Sequence, residues 1–302
     1  MLILHLALTV VVPIAVLVAI GWGMDRAFKL DVTTLVRLNF WIFVPALALV
    51  KLIQAPIEAG MGLVVGFGIA QTFLLVAAGW VASFIPSLRF RWRLLILGSF
   101  SYNIGNYGIP LVSFAFGERW LGVVIVLLTV QSVALFTFGP ILLGSKSSWS
   151  KTLIGLCKVP VVIAVVVALL VRFTGMAIPA PIMSAMGSLA DGLVPVALLT
   201  LGVQMARTPL MGGGLTTATI LALRLLVAPA SSWILAGLMG FSLETRTVLT
   251  VCSALPLAVN VFILCSEYDR DVEEAARAVL WSTVIATLLL PLLIALLPGV
   301  AP

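Results

Sequence analysis

Histidine and cysteine are almost missing from this sequence, which has one histidine, His5, and three cysteines, Cys157, Cys252 and Cys265. The cysteines lie in apolar stretches without CxxC spacing, so they supply neither a disulfide framework nor a metal-ligand set and read as small packing residues. His5 stands alone in the first apolar run and reads as an interfacial residue, which leaves no histidine-based catalysis and no multi-histidine metal centre. Charge is scarce as well, at 9% of residues against about 25% in ordinary soluble domains. There is no phosphate-binding glycine loop for ATP, and no cofactor is called for. The acidic run Glu267, Asp269, Asp271, Glu273 and Glu274 lacks the separated aspartate pairs that would hold Mg2+ and pyrophosphate, and reads as a solvated loop capping the last apolar span. The net charge of +6 comes without a basic run interleaved with aromatics, so nucleic acid is not an expected partner.

Apolar sequence, by contrast, dominates, with 62% hydrophobic residues and a mean hydropathy of +1.26. About 20 apolar residues in helical conformation cross a bilayer. Ten such segments are expected: Leu2 to Trp22, Leu35 to Ile53, Met61 to Phe84, Leu94 to Phe116, Leu121 to Leu143, Leu153 to Phe173, Ile182 to Met205, Leu215 to Met239, Val248 to Cys265 and Ala275 to Leu297. The fold class is therefore an all-α integral membrane protein. Met1 to Ile20 has no basic n-region and is long enough to span, so it reads as the first helix rather than a signal peptide. Connections after the odd-numbered spans, with their flanks, carry twelve lysines and arginines, whereas the opposite set carries Lys51, Arg119, Arg172 and Arg246. Since cytoplasmic loops collect these residues, both termini are expected outside the cytoplasm, in a multi-pass inner-membrane protein. Trp22, Trp41, Trp80, Trp92, Trp120 and Trp149 near span ends fit interfacial anchoring.

The fourth span is interrupted. From Ser99 to Phe114 it reads Ser-Phe-Ser-Tyr-Asn-Ile-Gly-Asn-Tyr-Gly-Ile-Pro-Leu-Val-Ser-Phe, placing amides, glycines and a proline where a helix cannot replace lost hydrogen bonds from lipid. A shift of about 150 residues lays Pro45 on Pro195, Asn106 on Pro256 and Pro110 on Asn260, which predicts two repeats, 1–148 and 149–302, with asparagine and proline exchanged between the fourth and ninth spans. Five spans per repeat would invert the second half relative to the first. Paired broken helices in inverted halves point to a transport site near the membrane midplane.

These residues resemble a known family. Asn103-Ile-Gly-Asn-Tyr-Gly-Ile-Pro110 is similar to the fourth-helix motif of the auxin efflux carrier family, whose bacterial members include proteins called malate or malonate permeases. Leu189-Ala-Asp-Gly-Leu-Val-Pro195-Val-Ala-Leu-Leu-Thr-Leu-Gly202, Leu223-Arg-Leu-Leu-Val-Ala-Pro229 and Leu255-Pro-Leu-Ala-Val-Asn260-Val-Phe-Ile-Leu-Cys-Ser-Glu-Tyr268 resemble its seventh, eighth and ninth helices. The resemblance implies ten helices in two inverted five-helix repeats, with helices four and nine crossing at their breaks. It further implies a scaffold of helices one, two, six and seven that forms a homodimer, and an elevator-like motion of the other six. The short connection from Gly144 to Lys151 and the asparagine at 260 depart from the long plant carriers and favour the bacterial organic-acid branch.

The expected substrate is a small organic anion, held by Asn103, Asn106 and Asn260 with the backbone exposed at Pro110 and Pro256. Tyr107 and Gln131 are further candidates, and Gln71, Thr72, Ser132, Ser282 and Thr283 are polar span residues that either line the cavity or pack helices. Arg224, in the middle of span eight, supplies positive charge directly or through the cavity potential, or else caps carbonyls near Pro229. Asp191 in span seven is a candidate proton or charge partner. The alternatives are a sodium-coupled symporter of the bile-acid type and, further off, an intramembrane enzyme, for which the sequence offers no nucleophile, base or metal set.

Overall fold

The computed structural model describes residues 12–54, 60–144, 155, 158–207 and 214–298. His5, Lys146, Trp149, Lys151 and Cys157 lie outside the described residues, as does most of the connection after Gly144. In lipid a backbone N–H or C=O has no water to turn to, so each apolar stretch satisfies its own backbone as a helix. The helices are α1 (Val12–Phe28), α2 (Val32–Gln54), α3 (Met61–Ala82), α4 (Trp92–Phe100), α5 (Ile104–Phe116), α6 (Leu121–Leu143), α7 (Pro160–Thr174), α8 (Ala180–Arg207), α9 (Leu215–Leu238), α10 (Leu243–Ser253), α11 (Val259–Glu267) and α12 (Val272–Leu296). No strand occurs among the described residues. Six of the helices, α2, α3, α6, α8, α9 and α12, are long and apolar enough to cross a membrane, which makes this a multi-pass membrane protein. Asp31 caps α2 by accepting from the Thr33 N–H at 3.0 Å and the Thr34 hydroxyl at 2.5 Å, and the hydroxyl bond above all holds its carboxyl below the ordinary carboxylate range.

Two packing groups emerge. α1 lies on α8, and α2 lies on α7 and α8. The α1–α8 contact is backbone to backbone: a Cβ added at Gly21 would meet the Leu199 carbonyl oxygen at 2.1 Å, and one at Gly202 the Val18 carbonyl oxygen at 2.0 Å. Small residues permit such approach, which is how helices gain packing energy where lipid removes the hydrophobic drive. In the second group α3 packs on α4 and α6, while α9 packs on α10 and α12. Large apolar side chains such as Phe173, Leu238 and Leu288 are exposed on the outside, the surface a bilayer requires.

One expectation needs correcting at the end of the chain. Glu274 is buried rather than part of a solvated loop. It binds Arg91 at 2.7 Å and Arg277 at 3.1 Å and accepts from the Thr217 hydroxyl at 3.2 Å, which ties the segment before α4 and the start of α9 to the first turn of α12. An acidic residue in a helix's first turn also opposes the positive end of the helix dipole.

The fourth and ninth expected spans are each two helices with a break between. Phe100 ends α4 and Ser253 ends α10, while Ile104 begins α5 and Val259 begins α11. Asn106 is thus the third residue of its second half-helix and Asn260 the second residue of its own. Each second half-helix therefore carries one asparagine in its first turn, the two offset by one residue from their helix starts.

Candidate functional site

The breaks meet each other. Asn103 donates its backbone N–H to the Pro256 carbonyl at 2.8 Å, and Ala258 donates to the Ser101 carbonyl at 3.1 Å, so Tyr102 and Leu257 form one antiparallel bridge. The remaining donor, Leu257 N–H, is accepted by the Ser282 hydroxyl of α12 at 3.0 Å, and Gln131 of α6 donates its Nε2 to the Tyr102 carbonyl at 2.6 Å. Two short extended segments inside lipid thereby satisfy groups that would otherwise cost about 1–3 kcal/mol each when left unpaired and buried.

Arg224 completes the accounting. It is wholly buried, and its guanidinium donates to the Ser99 carbonyl at 2.9 Å, to the Leu255 carbonyl at 3.0 Å and 3.3 Å, and to the Ser253 carbonyl. Those carbonyls belong to the C-terminal ends of α4 and α10, so one cation caps the negative ends of both first half-helices. Its face also lies 4.9 Å from the centre of the Tyr102 ring. The structure thus places Arg224 at the back of the crossing with its donors on protein carbonyls, and these sit at the breaks rather than near Pro229. The carbonyl beside that proline, at Ala228, is instead met by Gln71 Nε2 at 3.0 Å.

The opposite ends are left open. α5 and α11 begin at a cavity of about 60 Å3 whose walls include Asn103, Gly105 and Asn106 from the first break, Ala258 and Asn260 from the second, and Gln131 and Ser132 from α6. Asn39, Phe40 and Val44 of α2 and Val161 of α7 close the other side, so the cavity lies between the two packing groups. Asn103 accepts the Asn106 backbone N–H at 3.3 Å and so caps α5. Pro110 withholds the N–H that an α-helix would direct at the Asn106 carbonyl. Helix N-termini bring partial positive charge and free N–H groups to this cavity, the arrangement that favours an anion.

Of the sequence candidates, the structure brings Asn103, Asn106, Asn260 and Gln131 together at the cavity, with Pro256 contributing its carbonyl to the crossing. Tyr107 is placed elsewhere. It is buried and donates its hydroxyl to Thr287 at 3.1 Å, since the Thr287 proton is spent on the Thr283 carbonyl at 2.7 Å, and so it holds α5 against α12. Asp191 stands exposed on α8 and does not meet Arg224. Gln71 also reaches Ser231 at 3.0 Å, which joins α3 to α9. Asn39 is the residue that sequence reasoning missed. It is buried in α2 and donates to Thr200 of α8 at 3.0 Å, and the available signal was a lone amide in an apolar span. Among the described residues the three π-helical turns, Asn39–Phe43, Ile104–Gly108 and Leu223–Val227, each carry a residue of this constellation. Such turns recur at functional sites because the extra residue redirects a side chain.

A larger groove of about 670 Å3 runs between α2 and α7 on one side and α3 and α6 on the other. Its wall, with Leu52, Val65, Phe73, Val130 and Leu169, is mostly apolar, and Arg172 beside it donates to the Leu52 carbonyl at 2.6 Å.

A family model described as "Membrane transport protein" matches residues 6–294. An uncharacterized transporter of Methanocaldococcus jannaschii is 26% identical over 213 residues, 66% of this chain and 66% of that protein. A "Putative malonate transporter" of Rhizobium meliloti is 25% identical over 194 residues, 61% of this chain and 60% of that protein. Each alignment thus spans a little under two thirds of the relative. Family and relatives alike point to transport rather than enzymatic turnover.

Proposed function

This chain belongs to the membrane transport protein family, and on that premise we propose that it carries a small organic anion, a carboxylate, bound at the crossing of the two broken spans. The observation that carries this reading is the division of charge at the crossing. Arg224 neutralises the negative ends of α4 and α10, while the positive ends of α5 and α11 remain open to a cavity lined by Asn103, Asn106, Asn260 and Gln131. Arg224 acts through the cavity potential, Pro256 through its backbone, and Tyr107 and Pro110 by shaping and fixing α5. A relative named for malonate makes short dicarboxylates the first candidates.

The same reading assigns ten crossings in two inverted repeats, 1–148 and 149–302, with both termini outside the cytoplasm. Matched packing supports it. Contacts of α1 with α8 and of α2 with α7 exchange under such a repeat, and those of α3 with α4 and α6 have counterparts in α9 with α10 and α12. α1, α2, α7 and α8 form the scaffold and homodimer surface, and the remaining helices move past it as an elevator with the cavity at their boundary. The test is counterflow in proteoliposomes of the purified protein, loaded with malonate or another mono- or dicarboxylate, with and without sodium and pH gradients. Exchange of labelled carboxylate without sodium is expected; no exchange of any carboxylate contradicts the reading, and strict sodium dependence favours a bile-acid-type symporter.

A further inference from the structure

Three buried amides line the cavity, and the partner of each fixes which way it points. Asn39 faces the Thr200 hydroxyl, whose proton is already given to the Val196 carbonyl at 2.7 Å; Thr200 can therefore only accept, and Asn39 must offer it the NH2 group. Gln131 faces the Tyr102 carbonyl, which likewise only accepts, so its NH2 is turned that way and one of its two N–H donors is spent. Asn103 faces the Asn106 backbone N–H, which only donates, so its oxygen is committed instead. The atoms left over are Asn39 Oδ1, Gln131 Oε1 and Asn103 Nδ2, and none has a partner among the described residues. All three side chains are at least nine-tenths buried, at 2%, 5% and 5% exposure. Buried polar atoms are nearly always paired, so two unpaired acceptors and one unpaired donor on side chains around one small cavity describe the group that belongs there.

That description is not a bare carboxylate. Two amide oxygens carry partial negative charge and have no proton to give, so a deprotonated carboxylate placed against them is repelled and leaves them unpaired. A carboxylic acid group pairs two of the three atoms: its O–H donates to one of the amide oxygens and its C=O accepts from Asn103 Nδ2. A hydroxyl or a carboxamide N–H fits the acceptors in the same way. Resting on the carrier reading above, we propose that the substrate enters this cavity with a hydrogen-bond donor. A dicarboxylate is accordingly carried as its singly protonated form, the remaining carboxylate facing the positive ends of α5 and α11. Asn39 becomes a specificity residue supplied by α2, on the opposite side of the cavity from the crossing. The proton travels on the substrate, and among the described residues no acidic side chain lines the cavity.

Two monoanions of nearly equal size separate the possibilities. Malonamate carries an N–H donor; monomethyl malonate carries none. In malonate counterflow with purified wild-type protein, malonamate is expected to inhibit at a concentration at least about tenfold below the ester, because a site built for a donor rejects the analogue that lacks it. The apparent affinity for malonate should weaken up to tenfold per pH unit above its second carboxyl pKa, while inhibition by malonamate stays flat across that range. Asn39→Leu should narrow the amide-to-ester ratio to within about threefold; the wild-type comparison stands even where that variant folds poorly. Equal inhibition by amide and ester, or a pH slope shared by malonamate, overturns this inference and leaves the carrier standing. Should malonate not be carried, lactate against propionate makes the same comparison, and counterflow of no carboxylate at all removes the carrier reading and this inference together.

Discussion

The two breaks reach the same backbone arrangement with different chemistry. The first is capped from within: Asn103 accepts the Asn106 N–H, and a π turn from Ile104 to Gly108 leads into α5. The second has no side-chain cap. Ala258 occupies the N-cap position in extended conformation, and the break relies on neighbours, the Ser282 hydroxyl for Leu257 N–H and the Ser101 carbonyl for Ala258 N–H. The first break therefore carries most of the polar side chains of the site, and the second is held in place by the rest of the bundle. A symmetric crossing of backbones thus carries an asymmetric ligand surface, with Asn103 and Asn106 on one arm and Asn260 alone on the other.

Substitutions can erase this difference or sharpen it. The largest expected effect is on both breaks together. Arg224→Met strips the cation from three buried carbonyls and should lower stability by about 3–5 kcal/mol, seen as a fall in apparent melting temperature of the detergent-purified protein. Arg224→Lys should recover only part of the loss, because a single ammonium cannot reproduce the planar fork that reaches the ends of α4 and α10 at once. Ser282→Ala acts on the second break alone, leaving the buried Leu257 N–H unpaired at a cost of about 1–3 kcal/mol. Asn103→Ala acts on the first, removing the α5 cap at a cost of about 1 kcal/mol in melting experiments and impairing transport beyond what that loss explains. The smallest change runs the other way. Ala258→Ser gives the second break a side-chain cap of its own and should raise stability by about 0.5–1 kcal/mol. Equal responses of the two arms to Ser282→Ala and Asn103→Ala in both stability and transport would erase the asymmetry.

Much of this was legible in the sequence, for identifiable reasons. Hydropathy marks the spans because lipid forces continuous apolar helices, and Asn103, Gly105, Asn106, Gly108, Pro110 and Pro256 mark the breaks because each residue type opposes a continuous helix. The meeting of Asn103, Asn106, Asn260 and Gln131 followed from pairing those breaks. The exact helix starts were not legible, and only the structure shows that Asn106 and Asn260 both fall in the first turn of the half-helix after each break. The partners of Arg224 were hidden because they are backbone carbonyls, 125 residues away at Ser99 and 31 residues away at Leu255, and no residue type announces a free carbonyl. Asn39 escaped because it is a lone amide flanked by the apolar Leu38, Phe40 and Trp41, and its importance appears only when Thr200 and the cavity are brought beside it.

The central claim is that a carboxylate binds at the open ends of α5 and α11, where Asn106 and Asn260 stand in the first turns. Its most direct test is carboxylate counterflow by Asn106→Ala and Asn260→Ala in proteoliposomes, with melting temperature and monodispersity measured on the same preparations. Loss of exchange in both variants, with folding intact, is the predicted result; unchanged uptake by a folded, membrane-inserted Asn106→Ala protein would contradict it.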